Sequence, residues 1–386
     1  MGTCCDKGNY ADINMEHTME GDLNNLVISI DAPELEKDKE QLVKNGRMNL
    51  KGRLEKQMNS IGKAITEEEF TKLIPEEIKN QFVNPFEEEY PKDSLDELVE
   101  NEPVELSNGD FYHGYFNNSL QMEGPGELLQ PNSKTYIVGL FKDGKLYKGK
   151  IILPIGEYIG ETDGFVFHGK GTLTYKDKTV YEGDFVEGVK EGNGSLIYPD
   201  GTKYWGDFTK GEIEGEGEFI WNNGYYYKGG IKNGIFNGKG VLKAPNGSRY
   251  NGDFLNGVYH GKGKFLWGDP SYNPKDKNSF QESYVGEYSH GKKEGKGQYQ
   301  LKNGDIFEGE FFADKPHGRG ELETNDSIYK ALWKNGQIAE QPQIEKKEDI
   351  DPSISSTEHN LNFVVRKEDI DITQCKYINI SQLGKI

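Results

Sequence analysis

The chain has 386 residues, of which 34% are apolar and 12% aromatic, with 49 glycines and a formal net charge of −19 at pH 7. This acidity argues against nucleic acid as a general partner and against a purely electrostatic attraction to anionic membranes. Three cysteines cannot cross-link so long a chain, and no apolar run is long enough to predict a transmembrane helix, so we expect a cytoplasmic protein.

The first 32 residues are predicted to be a flexible tip that can carry lipid. Gly2 in Met1-Gly2-Thr3-Cys4-Cys5 resembles an N-myristoylation signal, and Cys4 and Cys5 lie beside it as palmitoylation sites. Two acyl chains would anchor the protein stably, whereas one gives marginal membrane binding. Asp6 stands where the motif prefers Ser or Thr. Two interpretations therefore remain, a lipidated anchor and an unmodified tip with ordinary thiols.

Residues 33–109 are predicted to be helical. One apolar stripe has helical spacing and comprises Leu50, Leu54, Met58, Ile61 and Ile65. Thr66-x-x-Glu69 is a capping box that starts a new helix, which Pro75 restarts, and Ser94-x-x-Glu97 repeats the signal. These helices either cap the first open edge of the sheet predicted for the following residues or dock on a partner helix.

Residues 110–336 carry a repeat with a period of 23. Each copy has a tyrosine, a glycine two residues after that tyrosine and a second glycine 11 residues after it. The tyrosines are Tyr158, Tyr181, Tyr204, Tyr227 and Tyr250. Alternation of aromatic residues and glycine predicts two strands per copy, joined as a β-hairpin. Glycine inside a strand allows close approach, so we expect each tyrosine ring to lie flat across neighbouring glycines.

The array continues in both directions from these copies. Tyr112 begins it, Tyr136 begins a damaged copy, and an insertion at 269–280 precedes the copies of Tyr284 and Phe307. The last copy, which begins at Tyr329, lacks its first glycine. Degenerate terminal copies are typical of capping units in repeat proteins.

This pattern resembles the MORN repeat (membrane occupation and recognition nexus), whose signature is close to Tyr-x-Gly-x-Phe-x-x-Gly-x-x-x-Gly-x-Gly. The resemblance implies an all-β repeat array: an elongated, twisted, single-layer antiparallel sheet of β-hairpins. An α-helical N-terminal region would precede the sheet, and an extended, charged tail at 337–386 would follow it.

The expected function is a non-catalytic scaffold that presents a groove to a helix or extended peptide in a cytoskeletal or ciliary assembly, such as an axonemal radial spoke. The residues predicted to line the groove are Tyr181, Phe185, Tyr204, Phe208, Tyr227, Tyr250, Phe254 and Tyr284. The alternatives are an acylated membrane-to-cytoskeleton tether and a regulatory module for a phosphoinositide enzyme. A homodimer through the terminal repeats is a further prediction.

A stripe of cations lies on the opposite face of the predicted sheet. Its members each occupy the middle of a Gly-x-Gly and are Lys239, Lys262, Lys296 and Arg319. This stripe would contact an anionic partner, or it would pair with acidic residues on the neighbouring strands, among them Asp253, Glu287 and Glu310.

No pattern indicates an enzyme, a cofactor or a metal. The stretch from Gly164 to Lys170 imitates a phosphate-binding loop but has Gly171 where Ser or Thr should follow. Residues 269–280 lack the glycine and glutamate of a calcium-binding loop. His168, His260 and His317 belong to different repeats and lack partners at ligand spacing.

Overall fold

The computed structural model describes residues 61–79, 84–95 and 98–347. Gly2, Cys4 and Cys5, three members of the predicted helical stripe (Leu50, Leu54 and Met58) and the tail beyond residue 347 lie outside these residues. The predictions made for them stay predictions.

The described chain is dominated by strands, which belong to one open antiparallel sheet of 23 strands. By contacts the chain divides into two compact units between Gly192 and Asn193. The first contains β1 (Gly62–Ala64), β2 (Val99–Leu106), β3 (Phe111–Phe116), β4 (Met122–Gln130), β5 (Thr135–Lys142), β6 (Lys145–Leu153), β7 (Gly156–Asp163), β8 (Val166–Tyr175) and β9 (Val180–Val186). Strand β10 (Val189–Ile197) contains the division.

The second unit continues with hairpins of the same kind. Its strands are β11 (Lys203–Thr209), β12 (Glu212–Ile220), β13 (Tyr226–Lys232), β14 (Ile235–Lys243), β15 (Arg249–Leu255), β16 (Val258–Leu266), β17 (Ser283–Ser289), β18 (Lys292–Gln300), β19 (Ile306–Phe312), β20 (Lys315–Glu323), β21 (Ser327–Lys334), β22 (Gln337–Ile338) and β23 (Gln343–Lys346). The prediction of a single-layer antiparallel sheet of hairpins is confirmed.

The hairpin of β11 and β12 shows the register that the repeats share. Tyr204 lies opposite Phe219 and Gly206 opposite Gly217, after which the register shifts before Phe208 pairs with Ile213. The shift is a β-bulge, and similar shifts occur in the hairpins that begin with β13, β15, β17 and β19. Two glycines that face each other leave the space above them free for a ring.

The insertion between β16 and β17 leaves this register unchanged. Gly263 of β16 lies opposite Gly286 of β17, although the loop between the two strands is much longer than elsewhere in the array. The loop is held by an ion pair of 2.9 Å between Lys302 and Asp269, and the ring of Phe280 lies against Gly304.

Short helices precede the repeats: α1 (Glu67–Leu73), α2 (Glu76–Lys79), a 3₁₀ turn (Glu87–Glu89) and α3 (Lys92–Leu95). The predicted capping box is confirmed, because the Thr66 hydroxyl accepts from the Glu69 N–H and the Glu69 carboxylate accepts from the Thr66 N–H. Phe70 and Ile74 of this segment are buried against outer residues of β4 and β5.

Three predictions for the N-terminal region are corrected. Gly62–Ala64 is the strand β1, paired with Val104–Leu106, so the helical stripe does not extend to Ile65. Gly62 permits this because a Cβ there would collide with the Glu105 carbonyl. Val99–Leu106 is the strand β2 and not part of a helical region. Ser94 lies inside α3 and does not cap it.

The damaged copy is also displaced by one residue from its predicted position. Gly139 of β5 lies opposite Gly126 and Gly149, which places Ile137, not Tyr136, where other copies have the repeat tyrosine. Tyr136 therefore faces the other side of the sheet, where its hydroxyl donates to Glu127 at 2.8 Å.

The first part of the C-terminal tail adds to the edge of the sheet. Strand β22 pairs with the end of β21, and β23 pairs with its beginning, with Tyr329 opposite Ile344. The strand of the last copy is therefore covered on both sides, and β23, with Glu345 and Lys346 exposed, forms the edge. Short charged edge strands oppose unwanted sheet extension.

Candidate partner-binding faces

The repeat tyrosines are fixed inside the sheet by their own glycines. The Tyr204 ring lies across Gly206 and Gly217, where a Cβ would collide with it. Its hydroxyl then donates to the Asp207 carbonyl at 3.0 Å, and Tyr250 does the same to Asp253 at 2.8 Å. Burial raises the pKa of Tyr204, so the hydroxyl remains a donor. The prediction that rings lie flat on glycines is confirmed.

Further aromatic residues stack on these tyrosines and complete the core. Phe236 stacks on Tyr227 with ring centroids 3.7 Å apart, and Phe254 meets Tyr227 edge-on at 5.4 Å. Such pairs add to the free energy gained by burying the rings. The aromatic face is thus a continuous packed layer within each unit.

The eight residues predicted to line a groove belong to this layer. Each has at most 3% of its surface exposed. The prediction is corrected in this respect: the side chains form the core and offer almost no area to a partner. Binding of a partner elsewhere on this face stays a prediction.

Two lysines occupy the core position that stacking rings fill in other repeats. Lys190 is 4% exposed, and its ammonium lies 5.1 Å from the Tyr175 ring centre and 5.3 Å from that of Tyr181. Lys293 is fully buried beside Trp267. The aromatic rings stabilise the cations through their negative faces. The sequence reasoning missed both, although their position nine residues after Tyr181 and Tyr284 was a usable signal.

The bulges of the β11–β12 and β15–β16 hairpins join the acidic residue of the repeat to the backbone. Asp253 accepts the Lys262 N–H at 3.1 Å, and Asp207 accepts the Glu216 N–H at 2.8 Å. Gly261 has φ +56°, and a Cβ there would meet the Asp253 carboxylate. The second glycine motif of the repeat therefore makes room for a carboxylate as well as for a ring.

The predicted cation stripe lies on the outer face, the face opposite the repeat tyrosines. Its residues stand in register with acids: Lys239 opposite Asp253, Lys262 opposite Glu287 and Lys296 opposite Glu310. Lys239 and Asp253 form an ion pair of 3.0 Å. Arg319 lies opposite Leu332 instead. The cross-strand interpretation is supported for Lys239, and binding of an anionic partner stays a prediction.

Two further rows on the outer face of the second unit were missed by the sequence reasoning. Residues that lie opposite one another on β11 to β16 form the Trp205 row, which is Trp205, Glu218, Lys228, Val241, Asn251 and Lys264. The neighbouring Lys203 row is Lys203, Ile220, Tyr226, Lys243, Arg249 and Leu266. The signal available was their position directly beside the repeat tyrosine, where side chains must point outwards.

Within the described ranges, no group of three or more His, Cys, Asp or Glu side chains could hold a metal ion, and no helix has the length and apolarity to cross a bilayer. His260 and His317 lie in separate hairpins, as predicted from their repeats.

Comparison with protein families finds the MORN repeat at residues 166–180, 181–203, 204–224, 227–249, 250–269, 284–306 and 307–327. Among solved structures, the chain is similar to the wild-type TCP10 domain of Danio rerio CPAP, at 12% identity and TM-score 0.31, over 57% of this chain and 93% of that one. It is also similar to the SAS-4 (dCPAP) TCP domain of Drosophila melanogaster in complex with a proline rich motif of Ana2, at 17% identity and TM-score 0.21, over 41% and 85%. No curated protein matches the chain.

Proposed function

The chain is a MORN-repeat protein, with seven such repeats between residues 166 and 327, and from this we propose that it is a scaffold that holds protein partners in a cytoskeletal or ciliary assembly. MORN repeats are non-catalytic repeats that mediate protein or membrane contacts. The proposal places this chain in an axonemal or cortical structure, where an extended array of outward side chains can contact several partners.

One observation supports a scaffold above the rest: the repeated aromatic residues are internal, and the residues directly beside them in the strand, which vary between repeats, point outwards. Tyr204, Phe208 and Tyr227 are buried, whereas Trp205 and Lys228 beside them are exposed. The repeat therefore builds a constant framework, and each outer position is free to differ. An exposed surface that differs from repeat to repeat suits the recognition of protein partners.

The experiment is fractionation of cells that express the full chain, into soluble, detergent-released membrane and detergent-resistant cytoskeletal pools. We expect the chain in the cytoskeletal pool. The matched variant is Gly2→Ala, Cys4→Ser, Cys5→Ser, which removes the acyl sites and leaves the repeats intact. Retention of this variant in the cytoskeletal pool supports the scaffold.

A membrane tether is the second candidate, and the Gly2, Cys4 and Cys5 motif is what favours it. Release of the native chain by detergent, together with loss of the variant from the membrane pool, would show that the acyl chains determine where the protein is located. A native chain found only in the soluble pool would contradict both functions.

A further inference from the structure

The outer face of the second unit carries a local excess of positive charge in a chain whose net charge is −19. The Lys203 and Trp205 rows together hold five cations on β11 to β16: Lys203, Lys228, Lys243, Arg249 and Lys264. All five are exposed. The two rows contain one carboxylate, Glu218, which pairs with Lys228 at 3.4 Å. We call the two rows across these six strands the basic face.

The same rows have the opposite charge further along the second unit. On β19 to β21 their positions are filled by residues that include Glu308, Glu321 and Glu323. The positive charge is therefore a property of β11 to β16 and does not follow from the repeat itself.

Exposed apolar side chains lie among the cations. Trp205 is 41% exposed and Ile220 is 40% exposed, on adjacent strands. Next to them the ring of Tyr226 lies 4.6 Å from the Lys243 ammonium. An exposed tryptophan within a charged rim is the composition typical of a binding hot spot.

In the first unit, the outer positions that correspond to Lys203 and Trp205 are covered by a helical segment of the same chain. Tyr136 and Val138 precede Gly139 by three residues and by one, as Lys203 and Trp205 precede Gly206. There, Phe70 and Ile74 of the α1 segment cover Tyr136 and Val138. The first turn of α1 is acidic, with Glu67, Glu68 and Glu69. The chain thus covers one such outer surface with an acidic, amphipathic helix of its own.

We propose that the basic face is a docking site for an acidic amphipathic helix of a protein partner. The inference rests on the proposed scaffold function and specifies the chemistry of one partner. Apolar residues of that helix lie on Trp205 and Ile220, and its carboxylates contact the surrounding lysines and Arg249. Six strands span about 24 Å, which a helix of about 16 residues matches.

The test measures binding of the full chain to a synthetic helical peptide of about 16 residues, the length estimated from the strand and helix rises. The peptide carries Phe and Ile four residues apart, as in Phe70 and Ile74, and Glu elsewhere on the facing side. A peptide with Lys in place of Glu is the control ligand. We expect saturable binding of the acidic peptide only, weakening as salt is raised. Equal binding of both peptides, or of neither, would overturn the proposal.

The variants use exposed residues, so that the fold is retained. Lys203→Glu with Arg249→Glu should weaken binding by about tenfold or more, since two attractive charges become repulsive. Trp205→Ser should weaken it by about tenfold. The matched control is Glu308→Lys with Glu321→Lys on the same face, which should leave affinity within about twofold. Unchanged affinity in the first two variants would overturn the proposal.

A lipid surface is a separate outcome. Vesicles of phosphatidylcholine with phosphatidylserine are tested with the same variants. If the chain binds these vesicles through Lys203 and Arg249 and does not bind the peptide, the basic face is a membrane-binding surface and the helix proposal is overturned. Fractionation separates this failure from that of the scaffold. If the chain stays in the cytoskeletal pool but does not bind the peptide, only the proposed docking site is overturned.

Discussion

Lys190 allows a direct measurement of the free energy that this sheet loses by holding a charge in its aromatic core. Burial lowers the pKa of its ammonium from the ordinary 10.5 to about 8. A difference of about 2.5 in pKa corresponds to about 3 kcal/mol against the charged form. Replacement by methionine removes this cost together with the two ring contacts, worth about 1 kcal/mol in all. We therefore expect Lys190→Met to raise the free energy of unfolding by about 2 kcal/mol at pH 7.

The pH dependence follows from the lowered pKa. Below about pH 8 both the folded and unfolded states hold the proton, and the cost is complete. Between about pH 8 and pH 10.5 the folded state has lost the proton while the unfolded state keeps it, so the wild type gains stability as pH rises. The advantage of Lys190→Met should therefore shrink by about 2 kcal/mol between pH 7 and pH 9.5 and almost vanish.

The assay is urea unfolding followed by circular dichroism at both pH values. Lys239→Met is the matched control, because that lysine side chain is 89% exposed and its loss should change stability by less than about 1 kcal/mol at either pH. A Lys190→Met variant that is less stable than wild type at pH 7, or whose advantage is the same at both pH values, would show that the buried charge does not destabilise the sheet.

The other predictions concern the framework. Gly217→Ala should lower the free energy of unfolding by about 2 to 4 kcal/mol, because its Cβ would collide with the Tyr204 ring. In Gly201→Ala the Cβ meets open space, so the loss should be only the roughly 1 to 2 kcal/mol that a positive φ costs. Equal losses in urea unfolding would contradict the role of the ring. Thr66→Ala should destabilise α1 by about 1 kcal/mol and speed hydrogen exchange of its backbone amides. Unchanged amide exchange would contradict the capping role of Thr66. Phe208→Asp should unfold its region, since the side chain is 1% exposed, and a native circular dichroism spectrum would show that the site is less closed than described.

The repeat architecture could be predicted because its cause is local. Tyr204 supplies the ring, and Gly206 and the facing Gly217 leave the space that the ring occupies. The same arrangement recurs every 23 residues along the chain. Side chains alternate between the two faces along a strand, so the cross-strand pairing of Lys239 with Asp253 could also be predicted.

The errors arose where a residue's role depends on distant neighbours. Ile61 and Ile65 have helical spacing, but pairing with Val104–Leu106 makes a strand between them. Tyr136 carries the residue type of the repeat and was assigned its position, whereas Gly139 sets the register. Lys190 was missed although it lies nine residues after Tyr181, and in the structure the rings of Tyr175 and Tyr181 lie beside its ammonium.

The expectation that these eight side chains line a groove was wrong for a related reason. Aromatic residues spaced along one face were interpreted as a surface for partners, but the same spacing lets Phe236 stack on Tyr227 and Phe254 close over both. In a layer that packs so well against itself, these eight side chains have almost no exposed surface.

The insertion between β16 and β17 shows that length in sequence and distance in space are independent in this protein. The extra residues leave Gly263 opposite Gly286, so outward side chains on either side of the loop keep the ordinary interval of one strand. The sheet therefore accommodates a longer connection at this point without a change in strand register. The junction is accordingly a suitable place to insert a fluorescent reporter into an otherwise native chain.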